Sequence, residues 1–294
     1  MHQSGFFRVS YSPRGWKRIA RALLRDVDSF SGLDRAGLLE DAFSLARAGQ
    51  LSYASVLELT KYLPSEFEFV PWIIAAGGFS YMRDRLTTSP VYSALEQHVL
   101  AMATNLIQRL VHRRTRSHHA QLLKALAFAA GWVYGHPRTR FEAKKAFNNF
   151  INTPFRSFAS IPKDNLRVVL KAGIETGGTH VWNALWRVFV DPRLPFGYKN
   201  PVLGALASSR SPWMLAQLLH RSLNLELMSR AETVYVFALV SNNPVGRRLA
   251  WAFFKAHYDV LAAHSLPLYS LVQSMADLDT QAVRECIGSH LLWG

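Results

Sequence analysis

The sequence predicts an all-α chain, a superhelical array of antiparallel helix hairpins with one short strand at its N-terminus. Three observations predict it. From Pro13 onward apolar residues recur at intervals of three and four. Gly and Pro punctuate this pattern roughly every 12 to 20 residues, the spacing of successive short helices. Strand-like alternation is confined to the opening residues, where Phe7, Val9 and Tyr11 alternate with Arg8 and Ser10.

That lone strand requires a sheet to pair with, so residues 1–12 read as a strand and linker leaving a sheet upstream, and residues 13–294 as the helical domain. In LDRAGLLEDAFSLARAGQ, Leu38, Leu39, Ala42, Leu45 and Ala46 form one stripe, Asp34 is placed to cap its start, and Gly49 to end it in a left-handed turn. The next helix starts at Ser52 and stops before Pro64. The same pattern continues through FVPWIIAAGGFSYMRDRL, VYSALEQHVLAMATNLIQRLVHR, HHAQLLKALAFAAGWVYG, FEAKKAFNNFI and PKDNLRVVLKAGIETGG. In SNNPVGRRLAWAFFKAHYDVL, Asn242 or Asn243 is the expected cap and Pro244 the first turn. Val245, Leu249, Ala252, Phe253 and Ala256 are the expected buried face. Many hairpins in series suit a HEAT-like or armadillo-like superhelix, although no strict internal period is visible. The best candidate for a hinge is NTPFRSFASIPKD, residues 152–164.

The chain has 294 residues, 49% hydrophobic and 18% charged, which excludes general disorder. Its one cysteine, Cys286, excludes a disulfide scaffold. Thirty-four Lys and Arg against 20 Asp and Glu give a net charge of +14. Residues 1–100 carry 11 basic and 10 acidic side chains, residues 101–294 carry 23 and 10, so the basic character belongs to the later part. Such a surface suits an acidic partner: nucleic acid, anionic lipid or carboxylates. The longest nearly uncharged runs, 69–80 and 125–135, fall short of the ~20 residues that span a bilayer, and the N-terminus lacks a signal-peptide core.

Chemistry-bearing patterns are sparse. No His-Glu-x-x-His occurs, His257 and His264 have no carboxylate spaced to complete a metal site, and adjacent His118 and His119 diverge on a helix. Cys286 has His290 one turn on but no orienting third group. The basic clusters, Arg109, Arg113, Arg114 and Arg116, and Arg138, Arg140, Lys144 and Lys145, read as solvated helix ends and turns rather than a nucleic-acid surface, since no nucleic-acid-binding motif accompanies them. No active site is expected within the chain.

Six segments in order, GFFRVSYSPRGWKRI, DRAGLLEDAFSLARAGQLSY, LTKYLPSEFEFVPW, NLRVVLKAGIETGG followed by Trp182 and Trp186, ALASSRSPWML and NNPVGRRLAWAFF, resemble the C-terminal helical domain of the aminopeptidase N family of zinc metallo-aminopeptidases, the ERAP-like C-terminal domain. The resemblance covers nearly the whole chain. It implies an all-α bowl that follows a zinc-bearing catalytic domain and a small β-sandwich, the opening strand being the passage out of that sandwich. In such enzymes the bowl encloses the peptide from which the parent enzyme removes N-terminal residues. The zinc and exopeptidase motifs lie upstream, so the resemblance implies no cofactor in this chain and no catalysis by it alone.

In some members of that family a tyrosine and basic side chains hold the peptide's C-terminal carboxylate. Tyr81 matches the tyrosine, whereas Met82 stands where a lysine would follow and Ser208 where an arginine would be. Arg83 and Arg210 are close enough in sequence to substitute, since guanidinium groups bind carboxylates bidentately. Tyr81 as a half-buried core aromatic is the competing reading. The disulfide cysteines of secreted relatives are replaced by Trp132, Thr139, Ala172 and Ser208, which leaves a reducing compartment open alongside the secretory and membrane-anchored locations of the family. The segment after His264 is shorter than the family pattern, and HLLWG ends the chain where a last helix would continue. The expected partners are peptide, the upstream catalytic and β-sandwich domains, and a second copy of the chain as a homodimer. A standalone HEAT-like scaffold or nucleic-acid binder is the alternative.

Overall fold

The structure, a computed structural model, describes residues 7–87, 89–111, 117–158 and 161–275. The chain divides into two compact units, Met1–Phe141 and Glu142–Gly294. The described residues are helical with no strand among them.

The expected N-terminal strand is therefore not observed at Phe7, Val9 and Tyr11. A strand exists only with a neighbour to pair with, and here Arg8 and Val9 are bonded to a helix instead. The Val9 N–H donates to the Asp41 carboxylate (3.1 Å), and Arg8 pairs with Glu40 (3.3 Å).

In the first unit, α1 (Pro13–Arg25) starts at Ser12, whose hydroxyl accepts from the Gly15 N–H, and Pro13 supplies the fixed φ that suits a first turn. It buries Trp16, Ala20 and Leu23. In α2 (Gly32–Arg47) the whole expected stripe is buried, but the cap is Ser31 rather than Asp34. The helix begins three residues earlier, so the Ser31 hydroxyl accepts the Asp34 N–H and itself donates to the Asp34 carboxylate (2.8 Å). Gly49 adopts the expected positive φ of 73°, and Ser52 caps α3 (Tyr53–Thr60).

α4 (Phe69–Arg85), α5 (Tyr92–Val111) and α6 (His118–Val133) follow. Phe43 of α2 meets Phe79 of α4 edge-on at 5.7 Å. Toward the ends of the same two helices, Arg47 meets Tyr81. Contacts that advance together along both chains mean that α2 and α4 run in the same direction, as helices two apart do in stacked hairpins.

α7 (Pro137–Asn152) carries the boundary between the units, and the short α8 (Pro154–Ser157) follows. The boundary thus lies ahead of the 152–164 segment. In the second unit, α9 (Lys163–Val190) breaks at Gly178, whose φ of 68° and ψ of −166° only glycine adopts readily. It returns along α10 (Phe196–Leu206) as an antiparallel hairpin: Lys199 lies over the Phe189 ring, and the Trp182 indole N–H donates to the Leu206 carbonyl (3.0 Å). Trp182 and Trp186 lie with ring planes within 4°, and the Arg221 guanidinium stands over both rings at 5.1 and 4.5 Å. Burial lowers the pKa of Arg221, because desolvation disfavours its charged form.

α11 (Pro212–Ser222), α12 (Arg230–Asn242), α13 (Arg247–Ala256), α14 (Tyr258–Ala263) and α15 (Leu268–Ser274) complete the unit. Asn243 ends α12 and also caps the turn that leads into α13: its Oδ1 accepts the Val245 N–H (2.9 Å), its carbonyl accepts the Arg247 N–H (2.9 Å), and its side-chain N–H groups donate to the Ala207 and Ser209 carbonyls (2.8 Å each). The expectation for α13 is corrected in its start and its face: the regular helix begins at Arg247, three residues after Pro244. Its buried face is Ala250, Phe253 and Phe254, with Leu249 half-buried and Val245, Ala252 and Ala256 exposed. The two phenylalanines set the rotation, because together they bury more area than any small-residue stripe.

Candidate functional site

Tyr81 sits half-buried near the C-terminal end of α4. Arg85, one turn on, lies on the same side of the helix and places its guanidinium 5.2 Å from the ring centroid. Arg47, the last residue of α2, approaches the same ring at 5.3 Å. Tyr53, in the first turn of α3, completes the group: burial first, and then the nearby Tyr81 phenol, hold its hydroxyl above the ordinary tyrosine range while Arg47 and Arg85 oppose the shift. Both arginines are exposed. Arg47 donates to the Ser44 hydroxyl (3.0 Å), and among the described residues Arg85 makes no ion pair or hydrogen bond. Two phenols and two guanidiniums thus form a positively charged surface group that suits a carboxylate.

The structure gathers these residues differently from the set named by sequence. Arg83 is two positions from Tyr81, about 200° around the helix, and its guanidinium lies 3.4 Å from the Asp84 carboxylate. Its charge also reaches the hydroxyls of Tyr92 and Tyr134. Burial, and then a hydrogen bond to Glu96, raise the Tyr92 pKa, and Arg83 opposes both. Arg210 belongs to the second unit, exposed in the turn between α10 and α11. Ser208, in the same turn, donates its hydroxyl to the Ala205 carbonyl (2.7 Å). Arg85 was legible as the i+4 neighbour of Tyr81. Arg47 and Tyr53 carried no local signal, since only packing brings them to that ring.

Among the described residues, no three of His, Cys, Asp and Glu gather to hold a metal. The zinc that the resemblance implies belongs to the catalytic domain of that family. The imidazoles of His220 and His257 do approach, with ring centroids 5.2 Å apart beside Phe253, a pairing no sequence spacing reveals. Cys286, His290, Arg113, Arg114 and Arg116 lie outside the described residues. Arg109 donates to the Pro64 carbonyl and covers the Phe67 ring at 4.4 Å, a structural employment. Arg138, Arg140, Lys144 and Lys145 are exposed. No described helix is long and apolar enough to cross a membrane.

A sequence profile of the ERAP1-like C-terminal domain matches residues 1–282. Thyrotropin-releasing hormone-degrading ectoenzyme of Rattus norvegicus is 28% identical over 269 residues, covering 89% of this chain and 25% of that protein. Aminopeptidase A of Gloydius brevicauda is 28% identical over 261 residues, covering 87% and 26%. Glutamyl aminopeptidase of Homo sapiens is 27% identical over 259 residues, covering 87% and 26%. The chain spans about a quarter of the length of these relatives. Helical throughout its described residues and matched by the profile over nearly its whole length, it belongs to the ERAP1-like C-terminal domain family, the C-terminal helical domain of aminopeptidases.

Proposed function

We propose that this chain is the peptide-binding, substrate-enclosing domain of a zinc aminopeptidase and performs no bond cleavage by itself. The observation that carries the reading is Tyr81 under the guanidinium groups of Arg47 and Arg85. At this tyrosine position some members of the resembling family hold the peptide's C-terminal carboxylate. Here the guanidinium groups would take the carboxylate oxygens and the Tyr81 hydroxyl would donate a further hydrogen bond. Arg83 remains a proposed contributor, although it stands about 200° around α4 from Tyr81, and Arg210 a proposed carboxylate-binding cation of the second unit. The upstream catalytic and β-sandwich domains are proposed partners in the same polypeptide, and a second copy of the chain a further one.

The test compares a synthetic peptide ending in a free carboxylate with its C-terminal amide, titrated into the full chain by calorimetry. A charge-assisted hydrogen bond of about 1.5–3 kcal/mol predicts that the amide binds at least about tenfold more weakly. Arg85→Ala and Arg47→Ala should erase that difference, and Tyr81→Phe should reduce it. Equal binding of the two peptides would overturn the carboxylate reading.

A second reading is favoured by the quarter-length coverage of the relatives: the chain is a piece of a complete zinc aminopeptidase, active only when joined to the rest. An in-frame His-Glu-x-x-His segment upstream in the natural gene would support it; an intergenic gap with its own promoter would refute it.

A further inference from the structure

The outward side of α1 holds an arrangement that the core does not use. Its 13 residues include Arg14, Lys17, Arg18, Arg21 and Arg25 and no acid. At about 100° per residue, these five cations fall within an arc of about 100°, and Trp16, Ala20 and Leu23 bury the opposite side. Arg14, Arg18, Arg21 and Arg25 follow one another at three or four residues, a row about 17 Å long. All five are exposed, and among the described residues none makes an ion pair or a hydrogen bond. Like charges at this spacing repel one another when nothing stands opposite them. Leu24, 57% exposed, stands at the rim of the arc beside Lys17. The acids that follow, Asp26 and Asp28, lie beyond the helix end, where the Asp26 carboxylate accepts the Asp28 N–H (3.1 Å).

We propose that this face of α1 docks the chain onto the surface of an anionic lipid bilayer. Each Lys or Arg brought to such a surface strengthens binding about fivefold. The long side chains reach headgroup phosphates and carboxylates while their stems, with Leu24, lie against the apolar boundary beneath. A convex helix needs no complementary groove to meet a flat sheet of charge. Nucleic acid would use these residues less well: the arc offers no Asn, Gln, Ser or Thr beside its arginines to read base edges and no exposed aromatic ring to stack on bases. An acidic protein would have to present carboxylates in the same register, and Leu24 would gain nothing from them.

The test is co-sedimentation of the full chain with vesicles of pure phosphatidylcholine and of phosphatidylcholine mixed with phosphatidylserine, near physiological salt. The expected result is binding to the mixed vesicles alone. The triple variant Arg18→Ala/Arg21→Ala/Arg25→Ala should bind about 100-fold more weakly, the product of three such factors. Leu24→Ser should bind several-fold more weakly with the salt dependence unchanged. A control that removes equal charge from exposed positions of the second unit, Lys144→Ala/Lys145→Ala/Arg230→Ala, should lose far less binding than the α1 variant. Alanine is a better helix former than arginine, so folding is preserved and circular dichroism verifies it; Arg→Gln at the same three positions serves if it is not. Equal losses in the two triple variants, no binding to mixed vesicles, or tighter α1-dependent binding of a DNA duplex or a polyglutamate peptide would each overturn the proposal.

Discussion

Arg35 can be buried because all its guanidinium nitrogens meet oxygens. Its Nε and Nη2 donate to the two carboxylate oxygens of Glu66 (2.6 and 2.8 Å), and Nη1 donates to the carbonyls of Val27 and Phe30. Glu66 in turn accepts the N–H groups of Phe67 and Glu68, and only 5% of Arg35 and 1% of Glu66 is exposed. Removing one partner strands the other charge in the core. Glu66→Ala should therefore cost about 3–5 kcal/mol in urea unfolding, whereas Arg35→Met/Glu66→Leu should cost far less than the single change. Glu232 offers a pH-dependent counterpart. Burial alone would raise its pKa, but the Ser229 N–H and hydroxyl and Lys199 (3.1 Å) together lower it. A carboxyl with a depressed folded-state pKa stabilises the fold above its unfolded pKa, about 4.3, and that stabilisation is lost as pH falls through the folded value. The stability advantage of the unmodified chain over Glu232→Gln should thus shrink below about pH 4.3 in melting experiments. The Arg35–Glu66 pair was not legible beforehand, since its members stand 31 positions apart.

Adjacent glycines of α4 test how helices pack. A Cβ on Gly78 would lie 2.4 Å from the buried Phe43 ring, whereas one on Gly77 would meet nothing within 4 Å. Gly77→Ala should stabilise by up to about 1 kcal/mol through helix propensity alone. Gly78→Ala should destabilise despite the same gain, because forcing a packed ring aside costs about 1–3 kcal/mol, and paired thermal melts distinguish the two. At Gly178 the backbone angle itself is decisive, and Gly178→Ala should cost roughly 1–3 kcal/mol. Helix existence was plain in the apolar spacing, and the GG at 177–178 marked where α9 breaks. Helix starts and rotations were less so: Asn243 keeps a capping bond to the Val245 N–H, yet the regular helix begins only at Arg247.

For the molecule as a whole, regional charge sums mislead. The first hundred residues are nearly neutral, yet five of their eleven cations occupy one face of α1. A sum over sequence ignores direction, whereas a helix sorts residues by angle. If cleavage belongs to other domains, the isolated chain with added zinc should hydrolyse aminoacyl chromogenic substrates no faster than buffer; release above that rate would locate the reacting groups here. By itself the amino-acid order determined that the chain is helical, where most helices lie, and which family it joins, because periodicity, caps and motif order are local properties of the chain. Only the tertiary structure decided that Arg47 and Tyr53 join Arg85 at Tyr81, that Arg35 closes on Glu66, and that Phe253 and Phe254 orient α13. Such choices depend on which distant side chains pack together, and the free energy of that packing is written in no local spacing.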